Sequence, residues 1–204
     1  ICKEKLTDNG IICQWIPQNW INEREYKACL KAFTDVFPYT SLWYVNEYST
    51  HLIGSKQPIE ISYSQVAYAF KNEKVQDELT SVGILDPEFF LAQYFISGDE
   101  LKDYLNNATV NTDDHPIVEF SKVINIAPVK KVMQYLKDFP TNYGEINFKG
   151  LAPAEKEEIT LKINNYSVYI RNIMNEVIEK IDYYEQQQAK NTEKERKQFF
   201  GVSK

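Results

Sequence analysis

The chain has 204 residues, of which 43% are apolar and 14% aromatic, so it can form a folded core of ordinary size. This composition excludes a disordered tail and a disulfide-stabilised miniprotein. The formal charge of −6 lacks the electrostatic attraction that sequence-independent nucleic-acid binding requires, so no nucleic-acid partner is expected. The cysteines Cys2, Cys13 and Cys29 lie in apolar or helical segments, which predicts reduced thiols and a reducing compartment.

The first residues have the pattern of a helix end. The segment 1–6 has no N-cap residue before it, and Asn9-Gly10 follows as a pair that closes helices. Together with the absence of an initial methionine, this predicts a piece of a longer protein. No apolar run approaches the roughly 20 residues that span a bilayer, so the piece is expected to be soluble.

Residues 1–57 predict a strand, a helix and a hairpin. The nearly continuous apolar run 11–16 is typical of a strand buried on both faces, and residues 22–37 carry apolar side chains at helical spacing. The β-rich runs 41–46 and 50–54 are separated by a few polar residues, too few for a parallel crossover, so they form an antiparallel hairpin. A helix between the first two strands implies that they form a parallel pair, to which the hairpin adds one antiparallel strand, and this order predicts the end of a Rossmann-like α/β sheet.

The region from residue 58 onward is predominantly helical by the same criteria. One helix starts at Ser62 or Ser64 and ends at Gly83, with a break near Asn72. Three further helices are predicted. The first runs from Asp86 through Tyr94, the second is short and has Asp99 as its cap, and the third covers residues 127–137. Residues 109–120 predict a polar turn and a short extended segment, and residues 140–153 predict a loop.

The last segment carries a regular apolar seam. Its members recur at steps of three and four residues: Ile159, Ile163, Tyr166, Ile170, Ile173, Val177, Ile181 and Tyr184. This predicts one long helix, about 154–186, which packs either on helices of its own chain or, as a coiled coil or dimer contact, on another chain. The sequence after Gln186 is too polar to pack and predicts a frayed tail. The predicted divisions are therefore 1–57, 58–120 and 121–204.

Most catalytic and ligand-binding motifs are absent. The seven glycines form no dinucleotide-binding or phosphate-loop spacing, and His51 and His115 have no metal-ligand pattern around them. No serine or cysteine has the context of a nucleophile, and Cys13 is predicted to be a core thiol. The sequence thus predicts no metal site and no catalytic residue in this chain.

Two polar features are candidates for binding. Gln14 interrupts an apolar strand; either it faces a ligand crevice beyond the strand ends, or it bonds a neighbouring loop. Asn111, Asp113, Asp114 and Glu119 belong to the motif N-T-D-D-H-P-x-x-E. Either the motif is a structural turn, or its carboxylates pair with an amine-bearing ligand.

An ordered set of segments carries a family resemblance. They are L-T-D-N-G-I-I-C-Q-W-I-P at 6–17, F-x-x-V-F-P at 33–38, S-L-W at 41–43, L-I-G-S at 52–55, G-I-x-D-P at 83–87 and N-T-D-D-x-P-x-x-E-F at 111–120. Over about residues 1–120 the set resembles the C-terminal half of the spermidine/spermine synthase family. The similarity is greatest to the long bacterial spermidine-synthase-like proteins.

The resemblance implies the C-terminal part of a Rossmann-like, S-adenosylmethionine-dependent methyltransferase-type fold, followed by a mainly α-helical region. It implies aminopropyl transfer from decarboxylated S-adenosylmethionine to a polyamine acceptor. The family's catalytic carboxylates and glycine-rich cofactor site would lie upstream of Ile11, so no cofactor is expected for this chain alone. Gln14 matches a substrate-pocket glutamine of the family, and Tyr48 lies in the hairpin loop where the family has a tyrosine.

Other hypotheses remain open at this stage. The chain could be a non-catalytic interaction module or pseudoenzyme, or part of another S-adenosylmethionine-dependent transferase. A homo-oligomer could form through the sheet edge or the long helix. The resemblance implies a cytoplasmic location for this portion, within a parent protein that can carry an N-terminal membrane region.

Overall fold

The computed structural model describes residues 1–18, 21–120, 127–138 and 145–200. The elements in chain order are α1 (Cys2–Lys5), β1 (Ile11–Pro17), α2 (Glu23–Val36), β2 (Tyr39–Asn46), β3 (Ser49–Ser55), β4 (Ile61–Ser62), α3 (Tyr63–Ala69), α4 (Glu73–Ser81), α5 (Pro87–Ala92), β5 (Tyr94–Ser97), α6 (Gly98–Tyr104), α7 (Ala127–Asp138), β6 (Ile146–Asn147) and α8 (Pro153–Phe200).

The main sheet has four strands in the order β1-β3-β2-β5, and each neighbouring pair is antiparallel. The chain is therefore of the α/β class, with the predicted hairpin present. β1 and β2 run in the same direction, but β3 lies between them, so the prediction that they pair directly is wrong. The two-residue turn after β2 returns the chain beside that strand, and the other edge of β3 then pairs with β1. A small parallel pair of β4 and β6 forms separately.

The helix α2 begins where local capping signals place it. Asn22 Oδ1 accepts a hydrogen bond from the Glu25 amide at 3.0 Å, and Glu25 Oε2 accepts one from the Asn22 amide at 2.9 Å. This capping box satisfies two amides that lack partners within the helix. Tyr26 and Leu30 are fully buried beneath the sheet. The predicted helix at 22–37 is confirmed.

The strand β1 is an edge strand, and the prediction that both its faces are buried is wrong. Ile11 is 61% exposed and Trp15 51%, and the thiol of Cys13 is exposed rather than part of the core. The register places Gln14 opposite Leu52 of β3. In the described part of the chain nothing pairs with the other edge of β1. This edge and the face of Ile11, Cys13 and Trp15 are consequently open to solvent.

The helix predicted from Asp86 is present, but its predicted extent through Tyr94 is wrong. α5 ends at Ala92, and β5 follows from Tyr94, with Phe95 and Ile96 buried. Most residues of 89–96 are apolar, so neither a helical nor a strand period distinguishes the two structures. Its place beside β2 is decided by pairing across the sheet, in which Leu42 lies opposite Ile96.

Three shorter predictions need correction. Ser97 rather than Asp99 precedes α6, and Asp99 instead pairs with Lys102 at 2.9 Å. The segment 117–120 forms turns rather than an extended run. Within the predicted loop 140–153, residues 146–147 form β6, whereas residues 140–144 lie outside the described residues. The break near Asn72 is confirmed, because that residue caps α4.

The helix α8 has 48 residues and continues to Phe200, so the predicted end near 186 is wrong, while the frayed tail stays a prediction. It packs on α5 and α7 of its own chain. The most buried side chains along α8 are those of Ile163, Ser167, Ile170, Met174, Ile178 and Ile181. Tyr184, a member of the predicted seam, is 65% exposed. Ile173–Met174 and Val177–Ile178 are adjacent apolar pairs, so only the positions of α5 and α7 decide which member is buried.

The core is continuous across the predicted divisions. One buried apolar cluster includes residues from all three of them, among which are Ile16, Leu42, Leu91, Val132 and Ile163. All three cysteines are free. No helix in the described residues combines the length and apolarity needed to cross a bilayer.

Candidate functional site

The end of β1 meets the turn between β2 and β3, where Tyr48 lies. The Tyr48 amide donates to Asn46 Oδ1 at 2.9 Å, and its carbonyl accepts from the Gln18 amide at 2.7 Å. These bonds hold the turn against the residue that follows β1. The Tyr48 side chain is 51% exposed, so its hydroxyl is available at the carboxyl end of β1.

A buried polar group lies behind this turn. The hydroxyls of Tyr26 and Thr50 are 2.7 Å apart and fully buried. Burial raises the pKa of Tyr26, and the hydrogen bond with Thr50 reduces that rise only in part. Gln18 itself is fully buried, yet neither polar atom of its carboxamide has a hydrogen-bond partner among the described residues. The tyrosine is thus neutral at physiological pH and can only donate or accept hydrogen bonds.

Gln14 lies apart from Tyr48. It is exposed, and its Nε2 donates to the carbonyl of Trp15 at 2.9 Å, which is a local bond rather than a contact with a loop. Leu52, the residue opposite Gln14, is four positions along β3 from Tyr48, and this corresponds to about 13 Å along an extended strand. The structure therefore places the two residues predicted to bind substrate apart, with Gln14 in the middle of β1 and Tyr48 in the turn beside its carboxyl end.

The motif at 111–119 is a hydrogen-bonded turn packed on α2. Asn111 Oδ1 accepts from the Val118 amide at 3.2 Å, and the Asn111 amide donates to the Ala28 carbonyl at 3.4 Å. Asp113, Asp114 and Glu119 are exposed. One of the two interpretations, a structural turn, is therefore formed, while amine binding by these carboxylates stays a prediction.

Two carboxylates lie near the thiol of Cys29. Its pKa is raised by burial and further by the charges of Glu119 and Glu25. Glu25 already accepts from Asn22 in the capping box, whereas Glu119 is exposed. A thiol with a raised pKa is protonated and a poor nucleophile, so the environment of Cys29 does not favour covalent chemistry.

A charged network that the sequence did not predict joins α5 to α8. Lys162 Nζ donates to Glu88 Oε2 at 2.9 Å and lies 3.0 Å from Asp86 Oδ2. Tyr63 donates to Glu88 at 2.5 Å, and Tyr166 donates to Asp86 at 2.7 Å. Glu88 is 6% exposed, so these partners replace the water that its carboxylate loses on burial. The only local signal is the Asp86-Pro87 cap; Lys162 is 76 residues away and carries no sequence indication of the contact.

Replacing Lys162 by methionine is expected to lower the free energy of unfolding by about 2 kcal/mol and the Tm by about 5 °C. The variant keeps the aliphatic stem but leaves the Glu88 carboxylate without its cation. The effect falls below that of a fully buried pair because Lys162 is 48% exposed. Thermal unfolding measures it, with Lys180→Met, an exposed position of the same helix, as the matched control. Equal Tm values for the two variants would contradict the role of Lys162 as the cation that compensates the Glu88 carboxylate.

The difference in stability between wild type and Lys162→Met should depend on pH. Partial burial acts to raise the pKa of Asp86, but hydrogen bonds from Tyr166, the Phe89 amide and Lys162 outweigh it and lower the pKa. Burial acts to lower the pKa of Lys162, and its bonds to Glu88 and Asp86 raise it instead. A lowered acid pKa stabilises above about pH 3.9 and a raised lysine pKa stabilises below about pH 10.4. The difference between wild type and Lys162→Met should therefore be constant between these limits and shrink outside them.

The described residues contain no group of three or more metal-ligating side chains. Partial burial in β3 lowers the pKa of His51, as expected for a histidine that packs rather than carries a charge. The residues at the carboxyl end of β1 can bind polar or cationic groups, but they do not pair a general base with a nucleophile.

Comparison of the chain with protein-family models, curated proteins and solved structures finds no match.

Proposed function

We propose that this chain is the C-terminal portion of a spermidine-synthase-like aminopropyltransferase and is inactive by itself. Such an enzyme transfers the aminopropyl group of decarboxylated S-adenosylmethionine to a polyamine acceptor. The amine nitrogen forms a bond to the carbon beside the sulfonium, the carbon–sulfur bond breaks, and methylthioadenosine leaves. A carboxylate takes the proton that the amine loses.

The strand arrangement is the observation that carries this proposal. β1 and β2 share a direction, α2 connects them, and β3 is inserted antiparallel between them. In the proposal, this arrangement is the end of a Rossmann-like sheet, and the other strands of that sheet would pair with the far edge of β1. The open edge of β1 supports the same interpretation. No charged residue occurs between Asp8 and Glu23, whereas exposed edge strands usually carry charges or irregularities that prevent pairing.

The position of the polar residues also supports the proposal. Ligands of open α/β sheets bind beyond the carboxyl ends of the strands, and Tyr48 and Gln18 lie at that end of β1. In the proposal Tyr48 contacts the polyamine substrate, and Gln14 contributes from the open side of the strand. Glu119, Asp113 and Asp114 are available near α2 to attract an amine.

The residues present do not fit a nucleoside cofactor. The turns after β1, β2 and β3 begin with Gln18, with Glu47-Tyr48 and with Lys56, and none of these turns is rich in glycine. A backbone cradle for the nucleoside is therefore missing from the ends of these three strands. In the proposal, the cofactor site and the catalytic carboxylates belong to the upstream part of the parent enzyme.

A second candidate function is a non-catalytic interaction module. α8 continues beyond Ile181, the last buried residue among its described side chains, and Tyr183 and Tyr184 are 60% and 65% exposed on that extension. A projecting helix with exposed aromatic side chains can contact a partner protein. This candidate predicts no amine-transfer activity in any longer form of the polypeptide.

Assay of the longer polypeptide tests the proposal. Incubation with decarboxylated S-adenosylmethionine and putrescine should release methylthioadenosine and an aminopropylated amine in equal amounts. Gln14→Ala should raise the KM for the amine by about tenfold, whereas Gln65→Ala, an exposed glutamine outside the site, should not. Absence of methylthioadenosine release from the wild-type polypeptide would overturn the proposal.

The 204-residue chain alone should not bind methylthioadenosine more tightly than about 1 mM, because the contacts to the nucleoside are missing. Calorimetric titration measures this directly. The longer polypeptide, titrated under the same conditions, is the matched control and should show saturable binding. Micromolar binding to the 204-residue chain would contradict the division of the site between the two parts.

A further inference from the structure

A cleft of about 280 Å³ lies at the opposite end of the sheet from Tyr48. It is bounded by the start of β2, the loop before β4, the junction of β5 with α6, and Glu145 before β6. Much of its wall is apolar, with Pro38, Pro58, Ile59 and Ile61 on it. A cleft of this size accommodates a small organic molecule with a short carbon chain.

Glu145 is held in this cleft by two hydroxyl groups. Ser97 Oγ donates to its carboxylate, 2.7 Å from Oε2 and 2.9 Å from Oε1, and the Tyr94 hydroxyl also hydrogen-bonds to Oε2. Tyr94 is 1% exposed, so it supports the carboxylate from the core. Each hydroxyl has one hydrogen to donate, while a carboxylate has about four acceptor positions. At least about two positions on Glu145 therefore remain for a ligand.

Three other polar side chains of the wall, Thr40, Ser41 and Lys102, already have partners. Thr40 Oγ1 donates to the Phe37 carbonyl at 2.9 Å, and Ser41 Oγ accepts from Trp43 Nε1 at 2.8 Å. Lys102 pairs with Asp99 at 2.9 Å. Glu145 is thus the charged group of the wall that has acceptor capacity and no cationic partner among the described residues.

We propose that this cleft binds a primary alkylammonium ion, with the ammonium group on Glu145 and the carbon chain against Pro58, Ile59 and Ile61. A tethered carboxylate beside an apolar wall matches a ligand that has one positive end and a short apolar body. The three hydrogens of the ammonium group suit the free acceptor positions of the carboxylate. The site is separate from the carboxyl end of β1 and does not depend on the proposed transferase activity.

Nuclear magnetic resonance titration of the 204-residue chain with n-butylammonium chloride tests the proposal. Backbone amides of Thr40, Ile61, Ser97 and Gly98 should shift together and saturate, with half-saturation in the millimolar range expected for a ligand of this size. The same concentrations of sodium chloride and of n-butanol, which has the chain without the charge, are the ligand controls. Neither should produce saturating shifts at these residues.

Two variants locate the binding group. Glu145→Gln keeps an acceptor for Ser97 and Tyr94 and should weaken binding at least about tenfold, whereas Glu100→Gln, on α6 but outside the cleft wall, should bind as wild type does. Ile59→Lys places a competing ammonium group in the cleft and should abolish binding. The proposal is overturned if the wild-type shifts do not saturate, if n-butanol reproduces them, or if either cleft variant titrates like wild type.

Discussion

A chain that ends after Lys149 is expected to lose its cooperative thermal unfolding transition. The deletion removes α8 and with it five apolar side chains that are at most 7% exposed: Ile163, Ile170, Met174, Ile178 and Ile181. At about 2 kcal/mol for each buried side chain, the loss is roughly 10 kcal/mol, which equals the whole stability of a typical domain. α5 and α7 would also expose the surfaces on which α8 packs. Differential scanning calorimetry and circular dichroism measure the loss.

A chain that ends after Lys190 is the matched control. It keeps every side chain of α8 that is buried among those that the structure describes, so its Tm should stay within about 2 °C of wild type. Ile170→Ala is a milder change on the same buried side of α8 and should lower the free energy of unfolding by about 2–5 kcal/mol. If the chain ending after Lys149 stayed folded with an unchanged Tm, the interpretation that α8 packs within its own chain would be wrong.

Gly54→Ala is expected to lower the free energy of unfolding by about 1–3 kcal/mol and the Tm by about 4–8 °C. A Cβ atom at this position of β3 would lie 2.6 Å from Cε1 of Phe33 and 3.0 Å from Cβ of Phe37. Phe33 lies on α2 and Phe37 caps its end, and their ring centroids are 4.9 Å apart. To accept the new methyl group, the Phe33 ring or the end of α2 must shift away from β3. Thermal and urea unfolding measure the cost.

A double-mutant cycle identifies the cause of that cost. Phe33→Leu shortens the side chain that the new methyl group meets, so Gly54→Ala should destabilise the Phe33→Leu background less than the wild type. The expected interaction energy is about 1 kcal/mol. Additive effects of the two substitutions would show that contact with Phe33 is not the reason for the glycine at this position.

The elements that sequence reasoning predicted correctly are those with local signals. α2 begins at a capping box whose two residues are three positions apart, and the hairpin follows from a connection too short for a crossover. The break before α4 follows from the Asn72 cap in the same way. In each case the interactions that decide the structure join residues that are close in sequence.

The candidate site was predicted only in part. Tyr48 lies in the hairpin turn as expected, and the motif containing Asn111 forms a turn. The buried Gln18 beside Tyr26 was missed, although it directly follows a predicted strand end. The Lys162 network was missed because its members come together only when α8 packs on α5. The Glu145 cleft likewise requires β5 and the residues before β6 to meet.

Composition and local pattern establish that this protein forms an α/β domain with helices after the hairpin, because burial of apolar side chains and capping depend on neighbours in sequence. Tertiary packing decides which strand lies between β1 and β2, whether residues 94–97 form a strand, and which side of α8 is buried. These outcomes depend on competition for partners from distant segments, since several alternatives have nearly the same local energy. The exposure of β1 has the same origin, because a strand is buried only when other segments cover it.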